Sequence, residues 1–452
     1  MGGLMKPLRT VIFWLHLAAG VAAGLVILVM SATGAVLAFK PQILNRIDRN
    51  VRFVEPTGSP RLSPSQLLAA ARSSRPDIQP ASMVFDRDPS SSVVLSLGRE
   101  GTLYVNPYTG AVLGEGSATA QRFFRSNEDW HRWLNVSGDN RAAARWATGA
   151  SNLAFLVLAI TGLFVWWPHK WLPQHVKAIL FFKRTQTGRA RDFNWHNVIG
   201  FWCAPVLIIL TATGVVMSYP WANRLVYQLA GSPLPAAREG GGRGGPQQAA
   251  RAQGRGRGNN DRGDQGRGGQ GRATGERLAR TAVALPDNLD QLWARAEQQL
   301  PTWQTVTMRL PDRAGAPVSF TMNDAQYWNS FARSQLTLDA ATADVIRWEP
   351  YAETSRGQKW RGWVRFGHTG ELGGIVGQFL AGIASLGGVV LVYTGLALAL
   401  RRLIGWRVWR RFAARPAATP AVPASAPAAG YARGREAFLD VSAVETSTTG
   451  GD

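Results

Sequence analysis

Four apolar runs, each about 20 residues or longer, constrain this chain more than anything else in it: residues 11–39, 146–167, 201–219 and 375–400. A helix needs about 20 such residues to cross the hydrocarbon of a bilayer. The chain is therefore expected to be a membrane protein with four spanning helices, and lipid is its first expected partner. The first run has a basic start, yet it far exceeds the about 7–15 residues of a signal peptide's apolar region, so it reads as an anchor that stays.

The net charge of +21 has local explanations. Many arginines flank the spans, and others repeat with glycine through residues 236–275, a composition that cannot bury a core and is expected to be disordered. No folded nucleic-acid reader accompanies them, so nucleic acid is not an expected partner. The one cysteine, Cys203, falls in the third run, which leaves no basis for an intrachain disulfide, a thiolate zinc site or an iron–sulfur cluster.

Lysine and arginine near span ends set the expected orientation, because basic segments stay in the cytoplasm. The loop at 167–195 carries Lys170, Lys177, Lys183, Arg184, Arg189 and Arg191 against Asp192 alone, and the segment after the fourth run opens with Arg401, Arg402, Arg407, Arg410 and Arg411. Both termini are then cytoplasmic and the long segments between the paired runs lie outside. Each outer segment reads as a small α+β unit. In the first, residues 41–125, a helix at 64–75 precedes strands at 92–97, 102–105 and 111–113, with a turn at 106–110. In the second, residues 285–362, a helix at 288–300 precedes strands at 335–338 and 345–348 around a turn at 339–342. LYVNPYTGAVL and LTLDAATADVI match strand for strand. Residues 221–284 link the third run to the second unit, residues 169–194 form a cytoplasmic loop, and residues 403–452 form a tail.

The runs themselves repeat. A Thr-Gly pair lies in each one, at Thr33-Gly34, Thr161-Gly162, Thr213-Gly214 and Thr394-Gly395, and 17 residues separate His16 from Thr33 as they separate His196 from Thr213. Runs one and three correspond, as do two and four, which predicts a parallel two-fold repeat about the membrane normal. Four of the six histidines follow it: His16 and His196 near the inner ends, His131 and His368 just before runs two and four. A polar ring at membrane depth needs a partner, and iron bound on both axial positions is one that uses two facing imidazoles. Gly20 and Gly24 follow His16 at the same offsets as Gly200 and Ala204 follow His196, leaving room on the histidine's own face for a flat group. Gly373, Gly374 and Gly377 are expected to do the same after His368. No CxxCH occurs, so such a group would be held without a covalent bond. His131 lies well upstream of its run, and the turn formers at 135–140 require the chain to fold back. Arg132 and Arg365 adjoin the outer histidines and suit the carboxylates of a prosthetic group. His169 and His175 stand outside the repeat, on an expected surface helix.

HLAAGVAAGLVILVMSATG, DWHRWL, NWHNVIGFW with the later TATGV, and FGHTGELGG with VYTGLALALRR together resemble the PepSY-associated transmembrane family of bacterial iron-regulated inner-membrane proteins. The resemblance covers nearly the whole chain apart from the Arg/Gly stretch and the tail, and the outer strand–turn–strand units resemble PepSY domains. It implies a membrane all-α bundle of four spans with two periplasmic α+β PepSY-like units. It also implies two b-type haems, with His16 and His196 as inner axial ligands and His131 and His368 as outer ones, and reduction of a ferric siderophore or other periplasmic acceptor. The Arg/Gly insertion departs from the family's pattern. No nucleotide-binding loop is present, so the electron donor is expected to be a cytoplasmic flavoprotein or a quinol. Other readings of the same residues are an electron-transfer subunit serving a partner enzyme, or a haem-free PepSY regulatory module. A transporter fits less well, since the spans lack paired internal acids.

Overall fold

The computed structural model describes residues 2–98, 101–166, 173–235, 285–313, 315–329 and 331–413. The Arg/Gly stretch, His169, Lys170 and the tail beyond residue 413 lie outside them. Met1–Arg402 is one compact unit, and Leu403–Asp452 is a second, described only through the end of the last helix.

Helix α1 (Gly2–Ala38) is followed by the short α2 (Lys40–Ile47) and α3 (Arg49–Arg52), by α4 (Pro64–Ser74), and by strands β1 (Ser82–Asp86), β2 (Val93–Ser96), β3 (Thr102–Val105) and β4 (Val112–Glu115). Helix α5 (Ala118–Trp133) leads into α6 (Arg141–Trp166), and α7 (Pro173–Leu180) into α8 (Gly188–Ser218) and α9 (Pro220–Leu229). The second half brings α10 (Leu289–Gln299), β5 (Trp303–Arg309), β6 (Val318–Asp324), β7 (Arg333–Leu338), β8 (Val345–Glu349), α11 (Arg356–His368) and α12 (Gly374–Ala413).

Among the described residues four helices are long and apolar enough to cross a membrane: Pro7–Ala38, Gly138–Trp166, Gly188–Ser218 and Glu371–Gly405. The third starts well before its apolar run because its polar first turns are satisfied inside the protein. Asp192, buried, is bridged by Arg191 and by Arg401 of α12, each at 3.0 Å. Asn194 accepts the Lys183 N–H at 2.9 Å. Across the spans large apolar side chains such as Leu15, Leu25 and Ile209 face outward while Ser31, Asn152, Thr211 and Ser385 are buried between helices. Lipid rewards no apolar burial, so close packing and internal hydrogen bonds take its place. Asn152 Nδ2, for example, donates to the Thr211 carbonyl at 2.9 Å. A Cβ on Gly214 would come within 2.9 Å of that same Nδ2, so the helices meet there only through glycine.

Two separate α+β units are expected from the sequence over residues 41–125 and 285–362; the strands instead form one antiparallel sheet of eight in the order β4-β3-β2-β1-β5-β6-β7-β8. The seam is β1 on β5, with Ser82 opposite Arg309 and Asp86 opposite Thr305. Left apart, each half would expose a hydrogen-bonding edge, and pairing the two edges removes both. One core runs beneath the whole sheet, where Leu67 and Leu68 of α4 and Leu289 and Leu292 of α10 pack on Met83, Phe85, Val306 and Phe320. Asp290 ties the two helices together by accepting from Ser65 N at 2.9 Å and Ser63 Oγ at 2.8 Å.

The β3–β4 and β7–β8 turns share one geometry. Asn106 Oδ1 accepts from Tyr108 N and Asp339 Oδ1 from Ala341 N, the bonds Asn106 N to Ala111 O and Asp339 N to Asp344 O are both 2.9 Å, and the ladder shifts register beside each turn. The left-handed position falls on Gly110 in one and on Ala343 in the other.

Candidate functional site

Helix α5 starts on Ser117, whose Oγ accepts the Ala120 N–H at 3.2 Å, and is anchored by the buried Phe124 and by the Lys40–Glu128 pair at 2.5 Å. It ends one turn after Asp129, with Leu134 and Asn135 both left-handed and with Asn135 N bonded back to Asp129 O at 3.1 Å. That closure stops the helix and turns the chain into α6. His131, in the last turn, is thereby laid against α1: its Nδ1 is 3.0 Å from Thr33 Oγ1 and 3.0 Å from the Met30 carbonyl oxygen.

The second half does the same with α11. It is capped by Ser355 and ends at His368, and Gly370 and Gly374 at positive φ turn the chain into α12. His368 Nδ1 is 3.2 Å from Thr213 Oγ1 and 2.8 Å from the Leu210 carbonyl oxygen of α8. The His131 and His368 rings then face each other with centroids 6.2 Å apart and planes at 56°. Burial, with the neighbouring His368 ring adding to it, holds the His131 imidazole down to about 4, and burial likewise holds His368 below its ordinary value. Both are neutral near pH 7, the form whose ring nitrogen keeps a lone pair. Of the three glycines expected to leave room after His368, a Cβ on Gly373 or Gly374 would meet nothing within 4 Å, and only Gly377 is closed off. Gly374 belongs to the helix-to-helix turn, and the place of a Cβ on Gly377 is taken by the Gly370 backbone.

At the other end of the spans His16 Nδ1 is 2.9 Å from Thr161 Oγ1, and His196 Nδ1 is 2.9 Å from Thr394 Oγ1. Both histidines line one cavity of about 940 Å³ between α1, α6, α8 and α12. Gly20, Gly24, Gly200 and Ala204 line it too, together with Gly162 and Gly395. Its basic edge is made by Arg9, Lys183, Arg189 and Arg402.

The family model of the PepSY-associated TM region matches residues 13–402. This chain belongs to that family. A search of curated proteins returns no match.

The residues of this PepSY-associated chain fit the group that two opposed imidazoles suggest. Two imidazoles on one metal ion, at metal–nitrogen bonds of about 2 Å, place their ring centres about 6 Å apart, which is the separation of the outer pair. Among the described residues no three His, Cys, Asp or Glu side chains gather, so a bare ion would find at most two side chains of these kinds. A macrocycle brings the remaining ligands itself. The inner cavity lies at the upper end of the roughly 300–1,000 Å³ of small-molecule sites, mostly apolar with cations at one edge, which suits a flat apolar group bearing carboxylates.

Arg132 and Arg365 adjoin the outer histidines in the chain, and their guanidinium groups lie over Trp133 at 4.2 Å and Phe366 at 5.7 Å. His175 falls on α7, and its side chain is outside the described residues. The four threonines that touch the four histidines are visible in the sequence only as markers of the repeat, and one Thr-Gly pair in every span is the signal for them. Nothing in the sequence points to the Met30 and Leu210 carbonyls.

Proposed function

We propose that this chain is an inner-membrane oxidoreductase that holds two b-type haems, one on His16 and His196 and one on His131 and His368, and delivers electrons from a cytoplasmic or quinol donor to a ferric siderophore or similar chelate at the periplasmic face. The observation that carries the reading is the placement of four histidines as two pairs at two levels of one bundle. Along α1, 17 residues separate His16 from Thr33, the partner of His131, a rise of about 25 Å. That distance spans most of a bilayer's hydrocarbon, about 30 Å thick.

When bound, the haems supply one-electron chemistry across the membrane. The protein's own residues do the rest. Nδ1 of each histidine is engaged by the protein, so Nε2 is the nitrogen left for iron. Gly20, Gly24 and Gly200 keep the inner cavity open to a flat ring. Arg9, Lys183, Arg189 and Arg402 offer cations to its carboxylates. The surrounding apolar side chains exclude water and so tune potential through burial.

Orientation follows from charge. Lys177, Lys183, Arg184, Arg189, Arg191, Arg401 and Arg402 gather at the His16–His196 end, which makes that end cytoplasmic, the sheet periplasmic and both termini cytoplasmic. The matched halves, each with an inner and an outer histidine, are the two members of a parallel repeat. Reduction of a chelated Fe(III) weakens its hold on hard oxygen ligands, so Fe(II) is released for uptake.

The test is an oxidised and a dithionite-reduced absorption spectrum of the purified protein with its haem-to-protein ratio, followed by anaerobic mixing of the reduced protein with ferric chelates. Bis-histidine b-type bands at two haems per chain, and reoxidation by chelate, are expected. A preparation from haem-replete cells without a Soret band would overturn the reading. Two haems that no ferric chelate reoxidises would leave an electron-transfer subunit in place of a reductase.

A further inference from the structure

The geometry points to Thr33, Thr161, Thr213 and Thr394 as positioning residues that fix the tautomer of the four histidines and so commit Nε2 of each ring to the prosthetic group. The inference rests on the di-haem reading for its consequence, though not for its hydrogen bonds.

Each threonine hydroxyl has one proton to give, and in all four it goes to the carbonyl four residues back in its own helix. Thr33 donates to Val29 O at 2.7 Å, Thr161 to Val157 O at 2.7 Å, Thr213 to Ile209 O at 2.7 Å and Thr394 to Val390 O at 2.8 Å. The oxygen then has only lone pairs to offer, so the histidine nitrogen beside it must carry the proton. At the outer pair the carbonyls of Met30 and Leu210 require the same, because a carbonyl oxygen can only accept. All four rings are therefore Nδ1–H tautomers with Nε2 unprotonated. A hydrogen bond from the far nitrogen also fixes ring orientation and raises ligand basicity, as it does for metal-bound histidines generally.

The glycine after each threonine completes the device at three positions. A Cβ on Gly162 or Gly395 would lie 3.4 Å from Cε1 of His16 or His196, and one on Gly34 would lie 3.2 Å from Cε1 of His131. The ring lies directly over the glycine, which is how it comes within reach of the neighbouring hydroxyl. At the fourth position the atoms nearest to a Cβ on Gly214 belong to Asn152.

The hold is not equal. Among the described residues His16 Nδ1 finds only Thr161 Oγ1. His196 has Thr394 Oγ1 with the Leu391 carbonyl also in reach. His131 and His368 each share their proton between a threonine and a carbonyl.

Full-length Thr161→Val and Thr33→Val proteins, with Thr161→Ser as the conservative control, test this through haem retention, the low-spin electron paramagnetic resonance spectrum and, on haem-free protein, the ¹⁵N shifts that report histidine tautomer. Thr161→Val is expected to weaken inner-haem retention about 10–100-fold and alter only that haem's spectrum. Thr161→Ser should behave as wild type, and Thr33→Val should change the outer haem less, because Met30 O remains. If Thr161→Val keeps its haem with an unchanged spectrum, or if Thr161→Ser falls as far as Thr161→Val, the hydroxyl only fills space and the inference fails. Should the wild-type chain bind no haem, the di-haem reading fails and the nitrogen shifts alone decide: a fixed Nδ1–H form that Thr161→Val loses supports the hydroxyl's role, and mixed tautomers in wild type overturn it.

Discussion

The inner and outer histidine pairs use the same contact, a threonine hydroxyl against the imidazole Nδ1, on two different supports. His16 and His196 sit on the spans themselves and open into a cavity of about 940 Å³. His131 and His368 sit on short helices, α5 and α11, that are folded back onto the spans and stopped by left-handed residues. A long helix is rigid by its own hydrogen bonds, and His16 on such a helix is set by a single partner, Thr161 Oγ1. A short helix must be held in place from outside, and the outer pair accordingly has a second acceptor per ring, with Phe124 and the Lys40–Glu128 pair pinning α5. The inner site is therefore defined by the space it keeps, and the outer site by what anchors it.

This difference can be broken most directly at the ligands. His196→Ala should abolish the inner haem and keep the outer one, and His368→Ala should do the reverse, each preparation holding one haem per chain by pyridine haemochrome assay; loss of both in either variant would mean that the two sites are not independent. Next in size is Gly20→Phe. Its Cβ would meet only Leu158, at 3.9 Å, so the ring can enter the cavity without a backbone clash. Complete loss of the inner haem with the outer spectrum unchanged is expected, and retention of both would show that the cavity is not where the inner group lies. Phe124→Ala removes a side chain that is 1% exposed and should cost about 3–5 kcal/mol. That loss should appear as a lower thermal midpoint and as preferential release of the outer haem; equal release of both would mean that α5 is not a separate support. The smallest effect belongs to Lys40→Met. The pair it breaks is about a third exposed on each side, so a change of about 0–1 kcal/mol is expected, measured as a thermal shift that fades with added salt.

Much of the architecture is legible without coordinates because it is written in local patterns. The four spans follow from apolar run length, although α8 begins 13 residues before its apolar run at 201, since Asp192 and Asn194 are polar residues whose partners make them helical and buried. The paired turns at 106–110 and 339–342 follow from Asn and Asp at the position that accepts the turn's own N–H groups. Strands β1, β5 and β6 are not among the strands expected from the sequence, although VSFTMND in β6 alternates buried and half-buried residues along its whole length. That period-2 signal was available. The β1–β5 seam was not, because its register joins segments more than 200 residues apart.

The histidines divide the same way. Their spacing, their repeat and the small residues on the face of His16 and His196 are properties of single helices, set by 3.6 residues per turn, and the sequence alone determines them. Which imidazole meets which hydroxyl is decided only when helices pack. Thr33 serves His131, 98 residues away, and Thr394 serves His196, 198 residues away. A hydrogen bond of about 3 Å depends on where two helices cross to within a fraction of a turn, and that crossing comes from the small residues, buried amides and interdigitating side chains of the whole bundle.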